Sequence, residues 1–309
     1  MSREQTAPAY VSGNRPIPAA HSDVSLETRG TAYAFVQSLV HEVSGGTVDL
    51  PCFPDVVTRV RNAMADSGST PERAVKIVGT EPRLAAKLLE TARSAAFNPS
   101  GRPLGDLRTA IARLGHQLVQ GAAMAFAVQQ MKDEASLRPV AEQLRELWSR
   151  SIAVASVCRV VARRTEVSPD EAFLTGLLHG IGRLYIIVRA VGSAPELCDE
   201  PKFLDLVAGW HAPIGKAVLA SWGFAEEMAE AVNDQAEYGR QSGNTADLSD
   251  VLIASVILAD SLGSTAPGTA AMNEASAFHS IGLSERDCAT ILTHAERQRC
   301  SLQDALGCN

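Results

Sequence analysis

Helix starts recur along this chain so regularly that little room is left for any other secondary structure. Ser69-Thr70-Pro71-Glu72, Thr80-Glu81-Pro82 and Ser168-Pro169-Asp170-Glu171 each set a capping side chain before a proline. At a first helical turn the fixed φ of proline suits the helix, and its missing N–H would have had no partner there anyway. Between these starts the apolar residues keep the helical period. Leu26, Tyr33, Val36, Leu39, Val40 and Val43 share one face of a helix over 26–43, which Ser44-Gly45-Gly46 ends. Further helices are expected from Leu50 to Asp66, to Val78, to Ser94, at 107–114 and 117–131 with a break at Gly115, and at 139–164. Others follow from Pro169 into His179 and at 182–191, 200–220, 225–236, 248–263 and 284–297. Strand alternation and Asn-Gly or Asp-Gly hairpin turns are lacking. The fold class is all-α.

With 309 residues, 46% of them apolar, the chain can bury a large core. Its charge, 28 basic against 35 acidic residues for a net of −7, disfavours nonspecific binding to nucleic acid or an anionic membrane. No apolar run approaches the roughly 18–20 residues needed to cross a bilayer. Residues 1–25, rich in Pro, Ser and Ala, lack the apolar segment of a secretory signal and read as a disordered leader. Cys52, Cys158, Cys198, Cys288, Cys300 and Cys308 are scattered without C-x-x-C spacing. That suits reduced thiols in a cytoplasmic protein rather than a disulfide framework or zinc site. The composition shift at 132–139 divides the chain into an N-terminal helical lobe at 26–131 and a C-terminal lobe at 139–263, followed by a helical extension at 264–309.

The stretch Ala172-Phe173-Leu174-Thr175-Gly176-Leu177-Leu178-His179-Gly180-Ile181-Gly182 ends an apolar helix on a histidine hemmed by glycines. Such a histidine is either a packed structural residue or a metal ligand aimed into a bundle. The block resembles the L-L-H-D-I-G helix of the HD superfamily of metal-dependent phosphohydrolases. Over about 48–240 the chain resembles an HDOD domain, the HD-related output domain of bacterial signalling proteins. The matching phrases run in order: Val48 to Pro54, Glu81 to Leu89, Arg93 to Phe97, Leu107 to Gly115, Trp148 to Ser151, Gly176 to Gly182, and His211 to Gly215 with Trp222-Gly223-Phe224.

The resemblance implies an all-α, bilobed bundle whose C-terminal lobe is HD-like. It also implies a site where His and Asp side chains hold divalent metal that activates water. His179 stands at the motif histidine, but Gly180 replaces the aspartate and cannot ligate. Arg150 stands at the upstream histidine, and Asn233-Asp234-Gln235 falls where relatives carry a His-His pair. His211 and Asp260 complete a vestigial set, so any divalent cation there would be weak and no cofactor is expected. The implied function is a non-catalytic signalling module working through a protein partner. The alternative is a residual metal-dependent phosphohydrolase on a nucleotide using His179, His211 and Asp260. An arginine in place of a ligand turns a cation site towards an anion site, so Arg150, Arg159 and Arg163 are candidate anion ligands for a cyclic dinucleotide. The competing reading of Arg159, Arg163 and Arg164 is a solvated helix end whose cations favour the dipole. Trp148, Trp210 and Trp222 read as core or lobe-interface aromatics, and Cys158 and Cys198 as structural thiols. The oligomeric state is left open.

Overall fold

The computed structural model of the chain describes residues 26–44, 48, 57, 59–60, 71–95, 97–102, 104–199, 203–241, 243, 245–262, 272 and 274–306. Among them the chain is helical without strands. The helices are α1 (Leu26–Ser44), α2 (Pro71–Val78), α3 (Pro82–Arg93), α4 (Leu107–Asp133), α5 (Ala141–Ala162) and α6 (Pro169–Leu178). They continue as α7 (Ile181–Ser193), α8 (Phe203–Ser221), α9 (Glu226–Asp234), α10 (Leu248–Ala259), α11 (Ser276–Ile281) and α12 (Glu285–Leu306).

The caps do what their sequences promise. Glu81 accepts from the Arg83 N–H before Pro82, and Ser168 accepts from the Glu171 N–H before Pro169. Asp247 and Asp250 close a reciprocal capping box at α10. Ser284 and Asp287 do the same at α12, the Asp287 N–H donating to Ser284 Oγ and the Ser284 N–H to Asp287. At Gly115 the backbone takes φ 73°, a conformation open to glycine, and bends α4 at the expected break. Differences come where local signals were weak. The helix expected over 139–164 opens as a 3₁₀ turn, Ala135–Val140, because Pro139 cannot donate into an α-helical ladder. α12 runs nine residues past its expected end to Leu306, and α11 has no counterpart among the expected helices. The expected leader at 1–25 and most of the helix expected to open at Leu50 lie outside the described residues.

α3 and α2 pack on α4, and α4 packs on α6. α6 lies along α5, which also receives α10 and α12; α7, α8, α9 and α10 follow as neighbours in turn. α1 crosses back to pack on α7 and α8. The buried side chains form one connected cluster from Phe35 to Leu302. Trp148 and Trp222 lie in it, but Trp210 does not: at 37% exposed it faces outward on α8, flanked by exposed Gly209. Pro169–Ser193, spanning α6 and α7, is long and apolar enough to pass as a membrane span, contrary to the sequence expectation. Of its 18-residue apolar window 83% is buried inside the protein, which is why its apolarity exceeds that of an amphipathic helix.

Candidate functional site

Glycines make the corner between α6 and α7. A Cβ on Gly176 would lie 2.8 Å from Ala155 Cα and 2.8 Å from Cys158 Sγ, so its absence lets α6 touch the α5 backbone. A Cβ on Gly182 would lie 2.7 Å from Gly215 N and 2.9 Å from the His211 carbonyl carbon, so α7 and α8 meet backbone to backbone. These two approaches bring His179, at the end of α6, and His211, on α8, beside one another under the surface, 4% and 7% exposed.

Each imidazole is oriented by its own helix. His179 Nδ1–H donates to the Gly176 carbonyl at 2.7 Å, and His211 Nδ1–H to the Ala208 carbonyl at 2.9 Å. A carbonyl oxygen can only accept, so the proton sits on Nδ1 and Nε2 is left as an acceptor in both rings. Burial pushes His179 down to about 3, with the nearby Arg150 and Arg183 guanidiniums and His211 adding to it against the Gly176 hydrogen bond. His211 falls to about 4, first through burial and then through Arg183, with Arg150 contributing further. Both are neutral at physiological pH. Gln235, 5% exposed, donates from Nε2 to the His179 carbonyl at 3.1 Å and to the Val232 carbonyl at 2.7 Å, tying α9 to the corner.

The remaining candidates divide. Arg150 lies close enough for its charge to act on both histidines, and it is partnered by Asp260: Arg150 Nη1 donates to Asp260 Oδ1. Arg159 lies two and a half turns further along α5, about 13 Å away and on the opposite face. There its guanidinium stacks 4.1 Å from the Phe97 ring centre and pairs with Asp170 at 3.1 Å. Phe97 in turn meets Phe173 edge to face at 5.6 Å. Arg163 caps the exposed end of α5. Arg150, Arg159 and Arg163 therefore do not line one cleft. Arg183 and Gln235 complete the corner, and nothing in the sequence pattern gives Arg183 a role. Its one signal is its place four residues after His179, which a helix break at Gly180 makes uninformative. Cys158 is buried with its thiol pushed up to about 12 by desolvation, consistent with a structural role.

Divalent metal fits these residues poorly. Among the described residues no group of three or more His, Cys, Asp or Glu side chains is arranged to hold an ion. Gly180, at the place of the motif aspartate, faces apolar space. A Cβ there would meet Leu147 Cδ1 at 2.8 Å and Ser151 Oγ at 3.5 Å, beside a cavity of about 20 Å³ lined by Met124, Leu147, Trp148, Ile181 and Leu184. Asp234, next to the position of the missing His-His pair, is engaged by Arg240 at 3.4 Å; that arginine also holds Asp247 at 2.5 Å and the fully buried Asp250. Three carboxylates are thus gathered by a cation of the protein itself.

The fold has solved counterparts. A candidate metal-dependent phosphohydrolase from Shewanella amazonensis superposes with a TM-score of 0.68 at 24% identity, covering 88% of this chain and 99% of that one. An HDOD domain protein of unknown function from Geobacter sulfurreducens gives 0.56 at 20% identity, covering 87% and 97%. A candidate signal transduction protein from Marinobacter aquaeolei gives 0.58 at 17% identity, covering 93% of this chain and 67% of that one. No curated protein matches the chain. At these identities the likeness establishes the fold alone. The HDOD domain profile, however, matches residues 50–238, more than half of the sequence. The chain belongs to the HDOD domain family.

Proposed function

We propose that this chain is a non-catalytic signal-transduction module of a bacterial cytoplasm. It relays a state through contacts with a protein partner. The observation that carries the reading is Arg150, whose charge acts on His179 and His211 and which holds Asp260 as its own partner. The candidate carboxylate Asp260 is engaged by a guanidinium, the motif aspartate is a glycine, and a second arginine, Arg183, adds positive charge. Phosphoryl hydrolysis on an HD framework needs several anionic or neutral ligands around a cation; among the described residues this corner offers two imidazoles and two cations. The signal-transduction name borne by the Marinobacter relative agrees with this reading. The phosphohydrolase names of the Shewanella relatives favour the alternative, hydrolysis of a nucleotide at His179, His211 and Asp260.

Elemental analysis of the chain, purified without chelator or polyhistidine tag, separates the two. The proposed function expects less than about a tenth of an equivalent of transition metal or manganese, since metal held by two histidines alone exchanges freely. Close to one equivalent, lost in His179→Ala, would refute it.

A further inference from the structure

We propose that the groove in which α12 lies is a docking site for an amphipathic helix of a protein partner, and that α12 is its resident occupant, held weakly enough to be displaced. Such a site is where the partner contact of the reading above is made, and to that extent rests on it; it needs nothing from the histidine corner.

α12 is a polar helix seated on a narrow seam. Among its described side chains Cys288, Ile291, Ala295 and Leu302 are the buried ones, each 1% exposed or less. Their spacings of three, four and seven residues trace a heptad seam with one position unfilled, three residues after Ala295. That position is Gln298, whose Oε1 is buried without a hydrogen-bond partner among the described residues. An apolar side chain is due there; a buried acceptor without a donor loses its hydration and receives nothing in return. Two of the four anchors, Cys288 and Ala295, are small, so Ile291 and Leu302 supply most of the buried apolar area. Arg299 bonds Glu296 and Gln303, and the Thr290 and Thr293 hydroxyls bond the Arg286 and Ala289 carbonyls, so these polar groups serve α12 itself rather than the groove. The tie across, Arg164 Nη1 to Asp287 Oδ1 at 2.6 Å, joins side chains 41% and 28% exposed, and solvent screens it.

The surface beneath is built to be covered. α5 contributes most of it, with α3, α4 and α10 at its margins. Over 151–162 α5 buries every residue but Ala153 and Arg159, so lifting α12 bares apolar surface to water. A competing helix needs two features. It carries apolar side chains at all five seam positions, including the one that Gln298 holds, and a carboxylate in its first turn to meet Arg164, beside which Arg163 stands exposed. That carboxylate also suits the positive end of its own helix. α12 from a second copy of the chain brings the same Gln298 and gains nothing over the resident, so the occupant is a different protein.

The probe is a fluorescein-labelled synthetic peptide of residues 284–306 carrying Gln298→Leu. It is titrated under reducing conditions into the full chain and into the full chain that itself carries Gln298→Leu, with fluorescence polarisation as the readout. The substituted peptide should bind the parent at least about tenfold more tightly than the unsubstituted peptide does, and should bind the Gln298→Leu chain at least about tenfold more weakly than the parent. The substitution fills the seam, so the urea midpoint of the Gln298→Leu chain should rise, and weaker binding there cannot come from unfolding. Hydrogen exchange on the unaltered chain should show α12 amides opening ahead of those of α5. Equal binding by the two chains, no polarisation change at about 100 µM peptide, or α12 amides as protected as those of α5 would overturn the proposal. Each of those results leaves the non-catalytic reading standing, because bound metal decides that reading separately.

Discussion

Replacing Gly182 by alanine tests the feature on which the histidine pair depends. The added methyl would stand 2.7 Å from Gly215 N and 2.9 Å from the His211 carbonyl carbon, with the His211 carbonyl oxygen closer still. Ordinary carbon contacts lie at about 3.5–4.0 Å, so α7 and α8 must separate by at least about 0.6 Å. A gap of about 0.5–1 Å forfeits a quarter to a half of each dispersion contact along the seam. The opposing atoms are backbone and cannot rotate aside, which places the loss at the upper end of the overpacking range, about 3 kcal/mol. Alanine returns a fraction of about 1 kcal/mol in helix propensity, since the position lies in the first turn. The net loss is about 2–3 kcal/mol, or a fall in melting temperature of about 3–5 °C for a chain of this size. Gly192 lies in the same helix, and a methyl added there would meet nothing within 4 Å, so Gly192→Ala should stay within about 0.5 kcal/mol of the parent. Urea unfolding followed by far-ultraviolet circular dichroism measures both. If the two substitutions behave alike, the backbone contact between α7 and α8 is not the constraint described above.

Acid should weaken the fold well before its carboxylates titrate. His179 and His211 hold folded values of about 3 and about 4 against an ordinary 6.5, so the unfolded chain takes up protons first and stability is lost as pH falls below 6.5. At pH 5 the loss approaches about 2 kcal/mol per histidine. Urea midpoints from pH 7 to 5 should decline steeply in the parent and much less in His179→Gln/His211→Gln; parallel declines would contradict the assignment. The Arg159 cluster should couple through its ring more than through its charge. A double-mutant cycle of Arg159→Ala with Phe97→Leu should give about 1–2 kcal/mol, and one with the half-exposed Asp170→Ala less than about 1 kcal/mol. Equal coupling energies would refute that ranking.

Helix order is legible in the sequence because caps and breaks are local. Ser168-Pro169 and Gly115 state their conformations within four residues of sequence. α11 escapes such reading because six residues are too short for a helical period to register, and it is held from outside, by the Ser276 N–H donating to the Tyr238 carbonyl at 2.9 Å. At the site, the adjacency of His179 and His211 comes only through family resemblance, since it arises from two glycine contacts between helices remote in sequence. The Arg150–Asp260 partnership spans 110 residues and leaves no local mark. Arg159 groups with Arg150 on charge alone, whereas helical phase puts them on opposite faces.

α12 carries a mechanical consequence. It packs on α5 and also reaches α3 and α4, and Arg164 at the end of α5 is bonded to Asp287 in its first turn at 2.6 Å. The last helix of the chain thus straps the early helices to the middle ones, closing the bundle into a ring of contacts. Hinged opening of the two halves would have to peel that strap away together with the apolar residues Ile291, Ala295 and Leu302 beneath it.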